Sequence, residues 1–282
     1  SGGVVEPRSV ADALAEHADG SGPVLVSVQW ANNETGTIQP VRAIADAVAE
    51  ARERLAEATP GRPRVYLHVD ACQAVGKLPV RVDEAAVDLL SLSGHKLYGP
   101  KGVGALYVAR GIRLKRQVHG GPQELLRRGG TENTAGVSGL GVAAGLAAAF
   151  LEEGGGIERL AALRDRFEAS VLGMVAGSSV NGPTEPGKRL WNTSNIAFEG
   201  LEAEAVLLGL SERGVGASAG AACSSGSLEP SPVLLAMGVP EPVAHGSVRF
   251  SLGRGTTDQE IDRALDILPA VVERLGRVMP TK

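Results

Sequence analysis

The chain has 282 residues, with 28 Lys and Arg against 32 Asp and Glu, a formal net charge of −4 and 43% hydrophobic residues. That composition suits a globular protein of one large or two modest domains. The acidic balance argues against a nucleic-acid partner, and no apolar run reads as long enough to span a membrane. The opening SGGVVEPRSV has no basic region followed by an apolar core, so a cytoplasmic location is the expectation. In chain order, a short helical pattern at 10–17 reads as a surface helix, and 24–30 as an apolar strand. ANNETGTIQP breaks that strand into a loop. Residues 41–58, rich in Ala, Glu and Arg, read as a helix. Two short apolar runs follow at 65–69 and 87–92, both read as buried strands, and 105–108 as a further strand. The basic, Gly-rich stretch 111–134 reads as an irregular excursion carrying an anion site. Helices are expected at 137–153 and 157–175. Beyond about residue 180 the texture becomes α+β: strands at 193–198, 215–219 and 247–252, helices at 202–213 and 232–237, and an amphipathic closing helix at 258–277 capped by Thr256 or Thr257.

The chemistry gathers in 65–107, VYLHVDACQAVGKLPVRVDEAAVDLLSLSGHKLYGPKGVGALY. About 17 residues separate its two strands, enough for a crossover that makes them parallel. Right-handed crossovers then bring both C-terminal ends to one edge of the sheet, where open α/β sheets bind ligands. The first strand ends in Asp70 and the second in Ser93, Gly94, His95 and Lys96. A carboxylate and an amine on one edge suit pyridoxal phosphate (PLP): the lysine forms a Schiff base with the aldehyde, and the carboxylate pairs with the pyridine nitrogen. Ser93 and His95 are candidate donors to the phosphate. The same residues read equally as a solvated loop lysine and a strand-end turn aspartate. Cys223 lies in GASAGAACSSGSLEPS, a small-residue segment with little to bury, which reads as a mobile loop carrying a nucleophile or as a buried structural thiol. No His, Cys, Asp and Glu cluster has metal-ligand spacing.

HVDACQAVGK followed by SGHKLYGPKGVGALYV resembles the cysteine desulfurases, in the class V aminotransferase group of fold-type I PLP enzymes. The resemblance covers nearly the whole chain. It implies an α/β fold of the PLP-dependent transferase kind: a large domain with a mostly parallel sheet at 1–135, then linking helices and a smaller α+β domain at 136–282. It implies Lys96 as the Schiff-base lysine, with Asp70, Gln73, Ser93, His95 and Asn33 around the cofactor. Gln73 matches the donor to O3′. The second Asn of the NNETG pair, Asn33, matches the residue beside O3′ and the substrate carboxylate. Arg249, in HGSVRFSLGR, matches the arginine that forks onto that carboxylate, a contact Lys cannot reproduce. Arg254 reads as structural. Cys223, in ACSSGSLEPS, matches the catalytic cysteine, and Thr131, in RRGGTENT, the threonine that reaches the phosphate of a neighbouring subunit.

The implied reaction converts L-cysteine to L-alanine, with sulfur held as a persulfide on Cys223 and passed to an acceptor such as an iron–sulfur scaffold. A homodimer is implied, with neither nucleic acid nor membrane as partner. Two other readings stand beside this one: another class V enzyme, such as a selenocysteine lyase or an aminotransferase, and a truncated homologue without catalysis that serves in assembly. Family members carry a long additional N-terminal stretch with a Gly/Thr phosphate loop and a histidine that stacks on the ring. That stretch is missing here, so a fragment, a processed form or a shortened homologue is expected. Cys72 matches no catalytic position and reads as packing. His68 reads as a strand residue and His119 as polar scaffolding, while His17 and His245 have no assigned role.

Overall fold

The computed structural model describes residues 2–17, 22–58, 65–219 and 229–278. The chain forms two compact units, one of residues 5–30 and 40–152, the other of residues 1–4, 31–39 and 153–282.

The first unit is built on a four-stranded sheet in the order β1 (Val24–Gln29), β2 (Val65–Asp70), β3 (Leu89–Ser93) and β4 (Gly104–Val108). The first three strands are parallel and β4 is antiparallel to β3. Alternation along β2 explains its placement: Val65, Leu67 and Val69 are buried, while Tyr66, His68 and Asp70 on the other face stay half-buried. Helix α1 spans Pro7–His17 and helix α2 spans Val41–Ala58. In α2, Val41, Ile44, Val48 and Ala51 repeat at helical spacing and belong to the same core as the buried β2 residues. Helix α1 lies at the surface as its pattern suggested, most of its residues exposed, with Leu14, 4% exposed, reaching into that core. Its pattern is short, and one well-placed leucine suffices to anchor it.

The β2–β3 crossover consists of a turn at 71–78 and a single helical turn, α3 (Val82–Ala85). Asp88 stitches it down: its carboxylate accepts the Leu67 amide at 2.7 Å and pairs with Arg52 of α2. After β4 comes the expected excursion, with one distorted turn, α4 (Gln123–Leu126), in which Glu124, Leu125 and Leu126 all take positive φ. Helix α5 (Thr134–Glu152) closes the unit. The expectation that no segment could span a membrane needs correction here. At 19 residues, α5 is long and apolar enough by length and composition. Its many Gly and Ala residues, which look unremarkable in sequence, do not break the apolar run. The same small residues serve close packing: a Cβ at Gly139 would come within 2.5 Å of Pro100.

The second unit holds an antiparallel sheet in the order β5 (Ser178–Val180), β6 (Thr193–Phe198), β8 (Ser247–Ser251) and β7 (Ser218–Ala219). Every residue of β6 is buried. Helices α6 (Gly156–Met174), α7 (Ala203–Ser211), α8 (Pro232–Ala236), α9 (Glu241–His245) and α10 (Asp258–Val278) complete it. The α10 cap is Thr257: its hydroxyl accepts from the Glu260 amide at 3.3 Å while the Glu260 carboxylate accepts the Thr257 amide at 2.9 Å. Strand β5 and helix α9 carry no sequence pattern strong enough to announce them; three and five residues are too few for a period.

Candidate active site

In the first unit, the pairing of β2 with β3 sets Asp70 opposite Ser91, and the Ala71 amide donates to the Ser91 carbonyl at 2.9 Å. Parallel pairing therefore places both strand ends on one edge. Asp70 is the last residue of β2 and Ser93 the last of β3. Past Ser93 the chain enters a single 3-10 turn, Gly94–Leu97, that carries His95 and Lys96 at the surface. Gly94 is required there: a Cβ would meet Val103 Cγ1 at 2.9 Å and the Val103 carbonyl at 3.0 Å. The turn is closed by Tyr98 in the left-handed region, φ 67°, a conformation that costs an ordinary residue about 1–2 kcal/mol. Such strain is found where geometry serves a site.

Ser93 Oγ and His95 Nδ1 share a hydrogen bond of 2.9 Å. One Asp70 oxygen accepts the Cys72 amide at 2.9 Å, which fixes the direction of the carboxylate. Gln73 lies in the turn that follows, half-buried. Cys72 reports on the whole edge. Burial pushes its thiol up to about 11, its hydrogen bond to Asp70 and the Asp70 charge push the same way, and the charges of Lys96 and Lys77 oppose them. A single thiol thus feels both Asp70 and Lys96. Lys77 itself was not singled out from the sequence. It is 9% exposed, and its Nζ donates to the Gln73 carbonyl at 3.2 Å and the Lys96 carbonyl at 3.4 Å.

The donor set suits PLP. Lys96 offers a surface amine that, among the described residues, makes no ion pair, as an aldehyde-reacting group requires. Asp70 keeps acceptor capacity for a pyridine N–H, and Ser93 and His95 offer donors for a phosphate. Thr131 is exposed in the excursion, and no contact described joins it to these residues.

The second unit holds Arg249 and Asn33. Arg249 stands in the middle of β8, opposite Asn195 and Ser218, and its Nη1 donates to the Asn33 carbonyl at 2.8 Å. Around them lies a buried polar network that sequence reasoning missed. The Asn32 carboxamide accepts the amides of Glu34 and Thr35 at 2.8 and 3.0 Å, which folds the NNETG turn on itself. The Asn195 amide donates to the Glu34 carbonyl at 3.3 Å. Glu34, 5% exposed, accepts the Ser231 hydroxyl at 2.6 Å. Burial raises the Glu34 pKa above its ordinary value, while the Ser231 hydrogen bond and the Arg249 charge pull it back. The available signal was an acid inside a run of Asn, Thr and Gly between two apolar segments. Cys223 lies outside the described residues.

Comparison with known proteins identifies the family. The Aminotransferase class-V model covers residues 3–264, and the chain belongs to that family, whose members use PLP. A cysteine desulfurase of Gluconacetobacter diazotrophicus is 49% identical over 256 residues, which cover 91% of this chain and 60% of that protein. Among solved structures, a NifS-like protein matches with a TM-score of 0.81 at 30% identity, covering 98% of this chain and 66% of the other. SspA in complex with cysteine matches with a TM-score of 0.67 at 33% identity, covering 91% and 65%. The chain spans about 60% of the length of the curated desulfurases it matches.

Proposed function

We propose that this chain acts as a PLP-dependent cysteine desulfurase, taking L-cysteine to L-alanine and passing the sulfur to an acceptor protein such as an iron–sulfur scaffold. The observation that carries the reading is the sheet edge made by the parallel β2–β3 pair, where Asp70 ends β2 and Lys96 stands in the turn that follows β3. The similarity to named desulfurases, and to a structure holding cysteine, supports the substrate.

PLP, when bound, supplies an electron sink that weakens the bonds at the substrate α-carbon. Lys96 Nζ would hold the cofactor and, once released by the substrate amine, would serve as the base for the α-proton. Asp70 would accept the pyridine N–H, Gln73 would serve O3′, and Ser93 and His95 would donate to the phosphate, with Asn33 serving O3′ as in the family's pattern. Arg249 orients the substrate through its carboxylate. The Cys223 thiolate attacks the substrate sulfur: the new S–S bond forms as the C–S bond breaks, and the carbon takes up a proton and leaves as alanine. Thr131 completes the phosphate site of a second copy in a homodimer. Exposed Leu125 and Leu126 beside it, 85% and 57% accessible, support burial of this excursion against a partner.

The test divides the PLP-loaded protein into two samples, one reduced with borohydride and the other incubated unreduced with L-cysteine, and maps the peptides of both by mass. The cofactor should be fixed at Lys96 and lost from that peptide in Lys96→Ala. Added sulfur should appear on Cys223, and Cys223→Ser should keep the cofactor yet form no persulfide. Undiminished alanine production by Cys223→Ser would favour another class V activity, a lyase in which that thiol takes no part. Absence of any cofactor adduct would favour a non-catalytic role.

A further inference from the structure

Lys77 is out of place by ordinary rules. A lysine in a turn is normally solvated, and burying an ammonium is costly unless polar groups surround it. Here the side chain is 9% exposed, and its Nζ lies on two main-chain carbonyls from different segments. One, Gln73 at 3.2 Å, belongs to the turn that follows β2. The other, Lys96 at 3.4 Å, belongs to the 3-10 turn that follows β3, 19 residues further along the chain. No backbone hydrogen bond joins these two peptide groups directly among those described, so the ammonium bridges them. The charge also reaches the site: it acts on the Cys72 thiol together with Lys96.

We infer that Lys77 is a positioning residue that ties the Asp70–Gln73 turn to the Lys96 turn and thereby aims the Lys96 amine. This rests on the reading of Lys96 as the cofactor lysine. The physical argument is geometric. A lysine side chain has four rotatable bonds, so the place of its amine depends on how firmly its own peptide is held. Lys96 stands exposed in a single turn whose ends are fixed by buried Gly94 and Leu97, beside a strained Tyr98, and the Lys96 carbonyl between those ends is the atom that Lys77 grips. Hydrogen bonds from a charged donor are stronger than neutral ones, and a carbonyl held by one loses freedom to rotate. Holding the reacting group close to its productive geometry is what a supporting residue contributes. Lys77 touches neither the aldehyde nor the substrate in this role.

The test compares Lys77→Met, which keeps the stem and removes the donors, with Lys77→Arg, which restores charge and donors. In the absence of cofactor, hydrogen exchange by mass spectrometry should show faster exchange in peptides covering 71–78 and 94–99 for Lys77→Met, and no change across β1 or α2. With PLP and borohydride, fixation at Lys96 should fall about tenfold in Lys77→Met and recover to within about twofold in Lys77→Arg, as expected for one lost charge-assisted bridge. An unchanged thermal midpoint alongside lost fixation separates aiming from simple destabilisation. If Lys77→Met does not fold, Lys77→Gln, with one amide donor, takes its place. Wild-type exchange in both peptides, or wild-type fixation at Lys96 in the Met variant, overturns the inference. Failure of the wild-type protein to be fixed at Lys96 overturns instead the cofactor reading, and the exchange arm still decides whether Lys77 ties the turns.

Discussion

Ser231→Ala puts a measurable load on one hydroxyl. That hydroxyl caps α8, accepting from the Val233 and Leu234 amides at 3.2 and 3.3 Å, and it donates to the buried Glu34 carboxylate at 2.6 Å. Loss of the cap costs about 1 kcal/mol. Loss of a hydrogen bond to a charged, buried acceptor costs about 1.5–3 kcal/mol. The sum is about 2.5–4 kcal/mol, a large share of a domain's net stability. Urea unfolding followed by Trp191, which is 4% exposed and lies in the same unit, reads this out once Trp30 is replaced by Phe. In a Glu34→Gln background the hydroxyl meets a neutral acceptor, so the same substitution should cost about 1 kcal/mol less. The pH dependence has a defined sign. Burial raises the Glu34 pKa in the folded state above the unfolded value of 4.5, so its contribution is fully present below 4.5 and is lost as pH rises through the folded value. The Ser231 hydroxyl favours the ionised form over the neutral one, so the Ser231→Ala penalty should fall by about 1 kcal/mol as the pH drops through the folded value, as in the Glu34→Gln background. Equal penalties in the two backgrounds, or a penalty that does not change with pH, would refute the coupling.

Arg249→Lys should raise the KM for L-cysteine about 10–100-fold with a smaller change in kcat, because one point charge replaces a two-pronged donor that also holds the Asn33 carbonyl; steady-state kinetics with an unchanged KM would remove Arg249 from the substrate site. Cys72 should react with iodoacetamide at pH 8 about tenfold more slowly than an ordinary thiol: at a pKa of about 11 little thiolate is present, and its greater intrinsic nucleophilicity offsets only part of that loss. Peptide-resolved alkylation showing Cys72 at the ordinary rate would contradict the environment described.

The parts of this protein legible in its sequence are those where one physical rule dominates. Strand β2 and helix α2 were readable because alternation and a helical stripe each persist long enough to define a period. The Asp70 and Lys96 edge was readable because two apolar runs joined by a crossover length leave little choice but parallel pairing. What stayed hidden is held by contacts between distant residues. Lys77 sits inside the very motif that drew attention to Asp70, yet its burial depends on a carbonyl 19 residues away. Glu34 and Ser231 are 197 residues apart, and neither has a pattern that calls for the other. Sequence periodicity reports which face of an element is apolar; it is silent on which buried polar atoms must find one another. The two units show the consequence differently. In the first, the reactive groups stand on strand ends and a surface turn, and one buried ammonium supports the turn. In the second, Arg249 stands on a central strand, and a network of Asn, Glu and Ser supports the loop it grips. A flexible amine needs its backbone held, whereas a guanidinium on a rigid strand needs its neighbours held.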